Sequence, residues 1–338
     1  MPVDATAWKV DPFAALIRDG IIWGRGTLDM KGIGVQQLMS LITLHNSGIT
    51  PTRDIIMLST ADEEMGGKYG IQWMIAKHFP EIESEYVFDE GGMGTRDALA
   101  PNKLVFGISV GDKIVLWLRV RARGTAGHGS QPIPDNANMT LLAAIQKALA
   151  MPEGGKQNPV VEEMKRAIGE PMVANKFTGA IQRNTISLTT LTSGVGSPPK
   201  SNVIPSTAEA TLDCRLLPGT NAEEFISEMK ARINDPRVTV EIISSAPDVK
   251  MSPSNTPLFA TMRQVILKYH PGAVVTPMLV PFGTDSAFLQ QRGVIAYGFT
   301  PMVLDAATAA TMHSDSERIP IEEFKTGLHI FYDVLKQQ

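Results

Sequence analysis

The sequence has few of the features that would tie it to an oxidising compartment, a nucleic acid or a membrane. Cys214 is the single cysteine, so no intrachain disulfide can form and the fold does not depend on oxidising conditions. The formal net charge of −4 gives a nucleic-acid partner no electrostatic support. No apolar run approaches the length that spans a bilayer, and the first residues lack the pattern of a signal peptide. We therefore expect that the protein binds neither a nucleic acid nor a membrane, and that it is cytoplasmic.

The length and composition are those of a globular protein with two domains. The chain has 338 residues, of which 43% are hydrophobic and 20% charged, enough for two buried cores. In residues 1–111 and 248–338, short apolar runs alternate with helical patterns, which is typical of a mostly parallel sheet flanked by helices. Within this part, the unbroken apolar run of Asp54–Thr60 predicts a strand buried on both faces.

Residues 112–247 follow a different order, namely strand, helix, strand, strand, helix, strand. This order predicts an α+β open-faced sandwich of the split βαβ type, inserted into the first domain. The polar stretch 151–183 inside it is predicted to be a loop or a partly helical connection. The predicted elements are Lys113–Ala122, Asn136–Ala150, Asn184–Thr192, Ala208–Leu216, Asn221–Ile233 and Arg237–Ile243. The fold class is therefore α/β with an inserted α+β lid or dimerisation domain.

Acidic residues occur at or just after three predicted strand ends, each close to glycines. They are Asp29, Glu63, Glu64, Asp89 and Glu90. Because ligands of α/β enzymes bind beyond the carboxyl ends of the strands, these acids would meet in one cleft. There they would repel each other unless some took up protons or bound a divalent cation. Solvated loop acids are the alternative for any one pair, but three such placements favour a metal site.

His313 adds a possible nitrogen ligand. It lies in a loop just before the predicted closing helix, Ile321–Leu335. A lone histidine in a loop is usually a polar surface residue, and the sequence pattern alone leaves that alternative open. The other histidines singled out, which lie in helices or at helix ends, are predicted to be surface residues: His45, His78, His270 and His329.

Seven short motifs resemble, in order and spacing, those of the zinc metallopeptidase family that contains aminoacylase, bacterial glutamate carboxypeptidase and desuccinylases. They are Gly24–Gly32, Thr60–Glu64, Phe88–Gly92, Gly127–Ser130, Ser201–Pro205, Gly283–Ser286 and Met312–Pro320. The likeness runs from about Trp8 to the C-terminus. It implies a hydrolase that cleaves an amide or peptide bond next to a free carboxylate, in an N-acyl amino acid or a C-terminal peptide.

The resemblance also implies a role for each acidic residue. Asp29 would bridge two zinc ions, Glu64 and His313 would complete the first zinc site, and Glu90, rather than its neighbour in the chain, would belong to the second. Glu63 would be the general base, taking a proton from the attacking water and later delivering one to the leaving amine. Family members often have a cis peptide bond after the bridging aspartate, so the same is expected here.

Five further residues are predicted to bind substrate. By the resemblance, His128 would reach the active site of the partner subunit in a homodimer and stabilise the oxyanion, the alternative being a turn residue beside glycines. Asn202 would donate a hydrogen bond to substrate. Arg215 is the candidate for holding the substrate carboxylate, the alternative being an ordinary charge on a strand face. Gly283 and Thr284 would form part of the pocket wall.

The sequence departs from the family pattern at its start. Family members carry a His-x-Asp motif on a strand shortly before a Val-Pro-Val-like segment, whose place Met1–Asp4 takes here. That histidine would be the remaining ligand of the second zinc, and the aspartate would orient it. The second site is left with Asp29 and Glu90 and should bind zinc weakly or not at all, whereas the first keeps three ligands. The absence of the preceding strands is also expected to expose apolar edges.

Three interpretations follow from this departure. The chain is a zinc hydrolase of weak or no activity, or a non-catalytic member of the same fold that binds a small carboxylate or serves as a scaffold. The third is that the sequence is a fragment, or that its start lies upstream, in which case a His-x-Asp would be encoded there.

Overall fold

The structure, a computed structural model, describes residues 3–152, 154, 158–169, 171–248 and 250–338. The first two residues of Met1–Asp4 and parts of the polar stretch 151–183 thus lie outside the described residues. The strands are β1 (Leu16–Arg18), β2 (Ile21–Trp23), β3 (Tyr86–Asp89), β4 (Gly94–Arg96), β5 (Leu104–Asp112), β6 (Ile114–Arg123), β7 (Gly127–His128), β8 (Thr185–Ser193), β9 (Val203–Ile204), β10 (Thr207–Leu216), β11 (Val238–Ser245), β12 (Val274–Val280), β13 (Ile295–Gly298) and β14 (Arg318–Pro320).

The predicted helices Asn136–Ala150, Asn221–Ile233 and Ile321–Leu335 agree with the structure to within one residue at each end, because their apolar residues repeat at helical spacing. The structure describes ten α-helices. They are α1 (Lys31–Asn46), α2 (Ile71–Ile82), α3 (Ala137–Leu149), α4 (Pro159–Ile168), α5 (Lys176–Ala180), α6 (Ala222–Ile233), α7 (Pro257–Tyr269), α8 (Ser286–Gln290), α9 (Ala306–Ala309) and α10 (Ile321–Leu335). Helices α4 and α5 lie in the polar stretch 151–183, so that connection is partly helical, which was one of the two predicted alternatives.

The larger sheet has the strand order β12, β5, β13, β3, and β4 pairs with β5. The pairs β12–β5 and β13–β3 are parallel, whereas β13–β5 and β4–β5 are antiparallel. Strand β5 is buried almost throughout. Helices α4 and α7 pack against its neighbour β12, and helices α1 and α10 pack against each other. The core includes Phe106, Tyr297, Phe299 and Phe331. This architecture confirms the predicted α/β fold class.

The prediction of a buried strand at Asp54–Thr60 is wrong. The segment forms no strand, and Ile56, Met57 and Leu58 are 52%, 39% and 36% exposed. The segment and strand β3 both line a groove of about 720 Å³. An apolar run predicts burial only where a neighbouring strand supplies hydrogen bonds and contacts. No described strand pairs with this segment.

The second sheet, with the order β11, β6, β10, β8, is antiparallel throughout. Along β6 the buried Leu116, Leu118 and Val120 alternate with Arg119 and Arg121, so one face packs on α3 and α6 and the other is polar. The apolar cluster on this sheet is separate from the cluster around β5. The two clusters do not follow the predicted boundary throughout, because Val161, Met164 and Ile168 of α4 belong to the cluster around β5 and α4 packs on β12. The division into residues 112–247 and the rest stays a prediction.

The chain passes from one sheet to the other at Lys113, whose side chain is buried. Its Nζ donates hydrogen bonds to the carbonyl oxygens of Ala180 and Arg183, at 2.9 and 2.7 Å, and to the hydroxyl of Thr185 at 3.2 Å. Burial, together with the charges of nearby arginines, lowers the pKa of Lys113 to about 7. The junction is thus fixed by the carbonyls of Ala180 and Arg183, and Lys113 itself lines the cavity that contains the candidate site.

Candidate metal centre

The third, small sheet explains how residues far apart in the sequence meet. Strand β2 pairs with β14 so that Trp23 lies opposite Arg318. The loop after β2 carries Asp29, and the loop before β14 carries His313. This pairing therefore brings the two loops together across 284 positions of the chain. The Asp29–Met30 peptide bond is cis, as the resemblance implied.

Glu63 and Glu64 lie on a single 3-10 turn, Glu63–Met65, that follows the extended segment beside the groove. Two glycines come next, and Gly67 has a positive φ of 68°. A Cβ at Gly67 would lie 2.9 Å from the side chain of Ile71 and 3.0 Å from Oδ1 of Asp285. Glycine is therefore required here for both its backbone conformation and the close approach. It lets the turn pack against the rest of the site.

The structure brings Asp29, Glu64 and His313 together. His313 Nε2 is 2.5 Å from Asp29 Oδ2 and 3.3 Å from Glu64 Oε1. One ligand atom from each residue lies within 4.8 Å of the other two, and no other such trio was found among the described residues. Asp29 has a side-chain exposure of 15%, whereas the other two are about a third exposed, at 34% and 38%. The trio is thus compact and open to solvent on one side.

These residues fit a divalent cation. Two carboxylates and an imidazole form a ligand set that zinc accepts, and three protein ligands leave a position open. The neighbouring acids show the charge that such a cation would neutralise. Burial, then Asp285, Glu64 and Asp29, raise the pKa of Glu63 to about 8. Burial, and next Asp29, raise the pKa of Glu90 well above its usual range.

Asp89 and Glu90 have different surroundings. Asp89 Oδ2 accepts hydrogen bonds from the backbone N–H and the hydroxyl of Ser286, at 2.9 and 2.7 Å, and its Oδ1 accepts one from the N–H of Glu90 at 2.8 Å. Both oxygens of Asp89 are therefore engaged, Oδ2 by the first residue of α8 and Oδ1 by the backbone of Glu90. Glu90 instead interacts with Asp29. This difference favours Glu90 over Asp89 as the further ligand, in line with the prediction.

A cavity of about 710 Å³ surrounds the trio, and eight of the ten predicted site residues line it. Besides the trio they are Glu63, Glu90, Arg215, Gly283 and Thr284. Its walls are partly apolar, with Trp117, Phe282 and Phe288 among the lining residues. The cavity therefore offers an apolar surface and a carboxylate-rich end that contains the ligand trio.

Two polar contacts in this cavity fix the predicted substrate residues. Arg215 donates from Nε and Nη2 to the two carboxylate oxygens of Asp213, at 2.7 and 3.1 Å. This pair uses two of the five N–H groups of the guanidinium. Thr284 donates its N–H and its hydroxyl to Asp112 Oδ2, at 2.8 and 2.7 Å. Burial raises the pKa of Asp112 to about 7.

Among the described residues, His128 and Asn202 do not line the cavity. They lie together where β7 pairs with β9, and both are exposed. The ring Nδ1 of His128 is 2.8 Å from the hydroxyl of Ser130, and its Nε2 is 3.5 Å from Nδ2 of Asn202. Their role in a second subunit's site stays a prediction.

The sequence analysis did not single out Asp285 and Lys113, which also line the cavity. Asp285 accepts a hydrogen bond from the hydroxyl of Thr60 at 2.8 Å, and burial raises its pKa to about 6. Its position just after β12 is the same signal that identified the other acids. Lys113 gave no signal, because a lysine at a strand end is usually exposed.

A carboxylate and histidine trio that shares one cavity with Glu63 and Glu90, in an α/β fold, defines the site of a metal-dependent hydrolase of amide or peptide bonds. The chain belongs to peptidase family M20/M25/M40, whose model matches residues 1–337. A family of metallopeptidases implies a divalent metal.

The names of similar proteins describe carboxypeptidases and a hydrolase of N-acyl amino acids. The chain is 28% identical over 360 residues to "Probable carboxypeptidase S-like 2" of Dictyostelium discoideum, covering 97% of this chain and 68% of that one. It is 27% identical over 364 residues to "N-fatty-acyl-amino acid synthase/hydrolase PM20D1" of Homo sapiens, covering 99% and 72%. The crystal structure of the metallo-carboxypeptidase Sso-CP2 from Sulfolobus solfataricus superposes with a TM-score of 0.71 at 17% identity, covering 99% and 82%, which shows the shared fold.

Within the described residues, no helix has both the length and the apolar character needed to cross a membrane.

Proposed function

We propose that the chain uses zinc to hydrolyse an amide or peptide bond next to a free carboxylate. The observation that carries this proposal is the convergence of Asp29, Glu64 and His313 beside Glu63 in one cavity. When bound, zinc lowers the pKa of water and polarises the scissile carbonyl. Glu63, whose carboxyl group lies in the same cavity, would take the proton of the attacking water and pass it to the leaving amine. The cytoplasmic location stays a prediction.

The free carboxylate of the substrate would contact Arg215. The guanidinium faces the cavity and keeps N–H groups that Asp213 does not use. Asp213 would hold it in place, because two parallel hydrogen bonds fix the plane of the guanidinium. The apolar wall with Trp117 and Phe288 would take the acyl group or side chain on the other side of the scissile bond. This arrangement suits an N-acyl amino acid or a C-terminal peptide.

Zinc removal tests the function. We expect the chain, stripped by a chelator and then titrated with zinc, to release amino acid from an N-acyl amino acid only in the presence of the metal. The same substrate with its carboxylate blocked as an amide should react roughly 10-fold more slowly or worse, because a charge-assisted hydrogen bond is lost. Product release is followed by mass spectrometry. Zinc-independent release, or equal rates for both substrates, would contradict the proposal.

We further propose that the second zinc binds weakly and that turnover is low. Within the described residues, Asp29 and Glu90 remain for that site, and the imidazole next to Asp29, that of His313, is assigned to the first site. The alternative, a non-catalytic member that binds a small carboxylate, is distinguished by the same titration. A chain that retains no zinc after dialysis and still binds an N-acyl amino acid would favour it.

We also propose a homodimer formed through the inserted sandwich. Strand β8 is an edge strand, and its Leu188 and Leu191 are 42% and 55% exposed. On the adjacent helix α3, Met139 and Leu142 are 63% and 45% exposed. An exposed, apolar edge favours pairing with a second chain. The proposed role of His128 requires such a dimer, in which this exposed residue reaches the other subunit's cavity.

Mixing two variants tests this arrangement. Glu63→Gln and His128→Ala should each have little activity, and a refolded equal mixture should regain roughly a quarter of the native rate. The reason is that half of the dimers are mixed, and each mixed dimer has one complete site. Sedimentation checks the assembly. A strict monomer at assay concentration, or a mixture without regained activity, would rule out the role of His128 in the partner.

A further inference from the structure

Glu317 is a carboxylate that the predicted mechanism does not use, yet it is fully buried. Its Oε1 accepts hydrogen bonds from the N–H groups of Leu28 and Asp29, at 2.9 and 3.1 Å. Its Oε2 accepts from the N–H of Gly26 at 3.1 Å and from Nη1 of Arg25 at 2.7 Å. All four donors belong to the loop that ends at Asp29. The carboxylate therefore holds the backbone of that loop directly behind a predicted metal ligand.

Arg25 connects the same loop to the other ligand. Its Nη2 donates to the backbone carbonyl oxygen of His313, at 3.3 Å. The guanidinium is 8% exposed and its Cζ lies 5.3 Å from the centre of the Trp8 ring, so it is enclosed between an aromatic ring and Glu317. The N–H of Gly24 also donates to the backbone carbonyl oxygen of Glu317, at 3.1 Å. The loops of Asp29 and His313 are thus joined by one buried ion pair.

A buried charge persists only where its hydrogen bonds are made, and here the four donors supply them. A glutamine at this position would have one oxygen and one NH2 group. That NH2 group would face the two donors that one carboxylate oxygen now accepts from. Two of the four hydrogen bonds would be lost, and the NH2 group would lie against two other donor groups. The loop could recover only by moving, and the carboxylate of Asp29 would move with it.

We propose that Glu317 and Arg25 form a positioning pair that keeps the Asp29 carboxylate and the His313 imidazole close enough to share one cation. This inference rests on the proposed metal site. It assigns to the pair no contact with substrate. Its effect is to fix the separation of two ligands that come from opposite ends of the chain.

Zinc affinity measured by competition with a chromophoric chelator tests the pair. We expect Glu317→Gln to weaken zinc binding by about 10- to 100-fold, as losing a group behind a metal ligand typically does. Arg25→Lys keeps the positive charge but cannot reach both Glu317 and His313, so it should weaken binding in the same direction. Cobalt substituted for zinc should show an altered absorption spectrum in both variants, because the ligand geometry changes.

Asp333→Asn is the matched control. Asp333 is also a buried carboxylate, held by Lys268 at 2.5 Å and by Lys336 at 2.8 Å, but it lies on α10 and contacts neither ligand loop. It should lower thermal stability and leave zinc affinity and the cobalt spectrum unchanged.

The outcomes separate the two proposals. If the native chain binds no zinc, the metal site fails and the positioning pair fails with it. If the native chain binds zinc and a folded Glu317→Gln binds it equally well, only the positioning role fails. Should Glu317→Gln not fold, Arg25→Lys decides: weakened binding supports the pair, and native binding overturns it.

Discussion

Replacing Glu63 by glutamine is expected to lower the turnover number for amide hydrolysis by about 10²–10⁴-fold, the usual contribution of a general base. Glutamine has nearly the same shape but cannot accept the proton of the attacking water. Glu63 lies in the cavity beside the ligand trio but is not one of the three. Zinc affinity should therefore stay close to native, and the loss should fall on turnover rather than on substrate binding.

Glu64→Gln is the matched control, because it changes the adjacent residue in the same chemical way. Glu64 Oε1 lies 3.3 Å from the His313 ring, within the trio, so this variant should lose zinc as well as activity. Turnover and zinc content are measured on the same samples. Native turnover in Glu63→Gln, or equal zinc loss in both variants, would refute the assignment of the base.

The pH profile provides an independent check on Glu63. Only its ionised form can take a proton, so the rate should be lost as pH falls through its pKa and should be full above it. Burial and the neighbouring carboxylates raise that pKa, to about 8 without a cation, and a bound cation would lower it again. The native rate should therefore show an acidic limb that is absent from the residual rate of Glu63→Gln.

The inserted sandwich was predictable from the sequence because its strands obey a local rule. Along β6 the side chains alternate between a buried and a polar face, and α6 begins at Asn221, whose side chain accepts hydrogen bonds from two N–H groups of the first turn. Such signals are carried by neighbouring residues. The element bounds consequently differ from the predicted ones by only one or two residues.

The errors in the other part have a different physical origin. Strand β5 gave no clear pattern, because Gly107 and Gly111 interrupt its apolar run, yet it is buried almost throughout. A Cβ at Gly107 would lie 2.6 Å from the side chain of Met278, so the glycine reflects a close neighbour that the sequence does not reveal. The segment Asp54–Thr60 shows the converse. Its local pattern was that of a buried strand, but pairing depends on a neighbour.

The candidate site shows the same division. The acids could be recognised from the predicted strand ends, although the strand predicted before Glu63 and Glu64 does not form, and the motif resemblance ordered them into roles. Glu317 could not be recognised, because an acid in a loop is usually solvated and its four donors include three backbone N–H groups. Every residue except proline has a backbone N–H group, so the sequence does not show which of these groups donate to Glu317. The pairing of β2 with β14 brings Glu317, which directly precedes β14, next to the loop that follows β2.

The second large effect is expected from His313→Gly, which should remove zinc from the chain. His313 has a positive φ of 63°, a conformation that glycine adopts without strain, so the variant should not destabilise the loop through its backbone. Two carboxylates, Asp29 and Glu64, would remain. Because loss of a group behind a ligand already costs 10- to 100-fold in affinity, loss of the imidazole itself should weaken binding by more than about 100-fold.

Zinc per chain after dialysis, measured by atomic emission, checks this expectation. The native chain should retain about one ion, because one site has three ligands, and His313→Gly close to none. His329→Ala, an exposed histidine on α10, should retain the native amount. If His313→Gly kept one ion, zinc would have to bind elsewhere, with Glu90 and Asp29 as the nearest alternative. The role of Glu63 would then lose its geometric basis, because the base must face the same cation that the ligands hold.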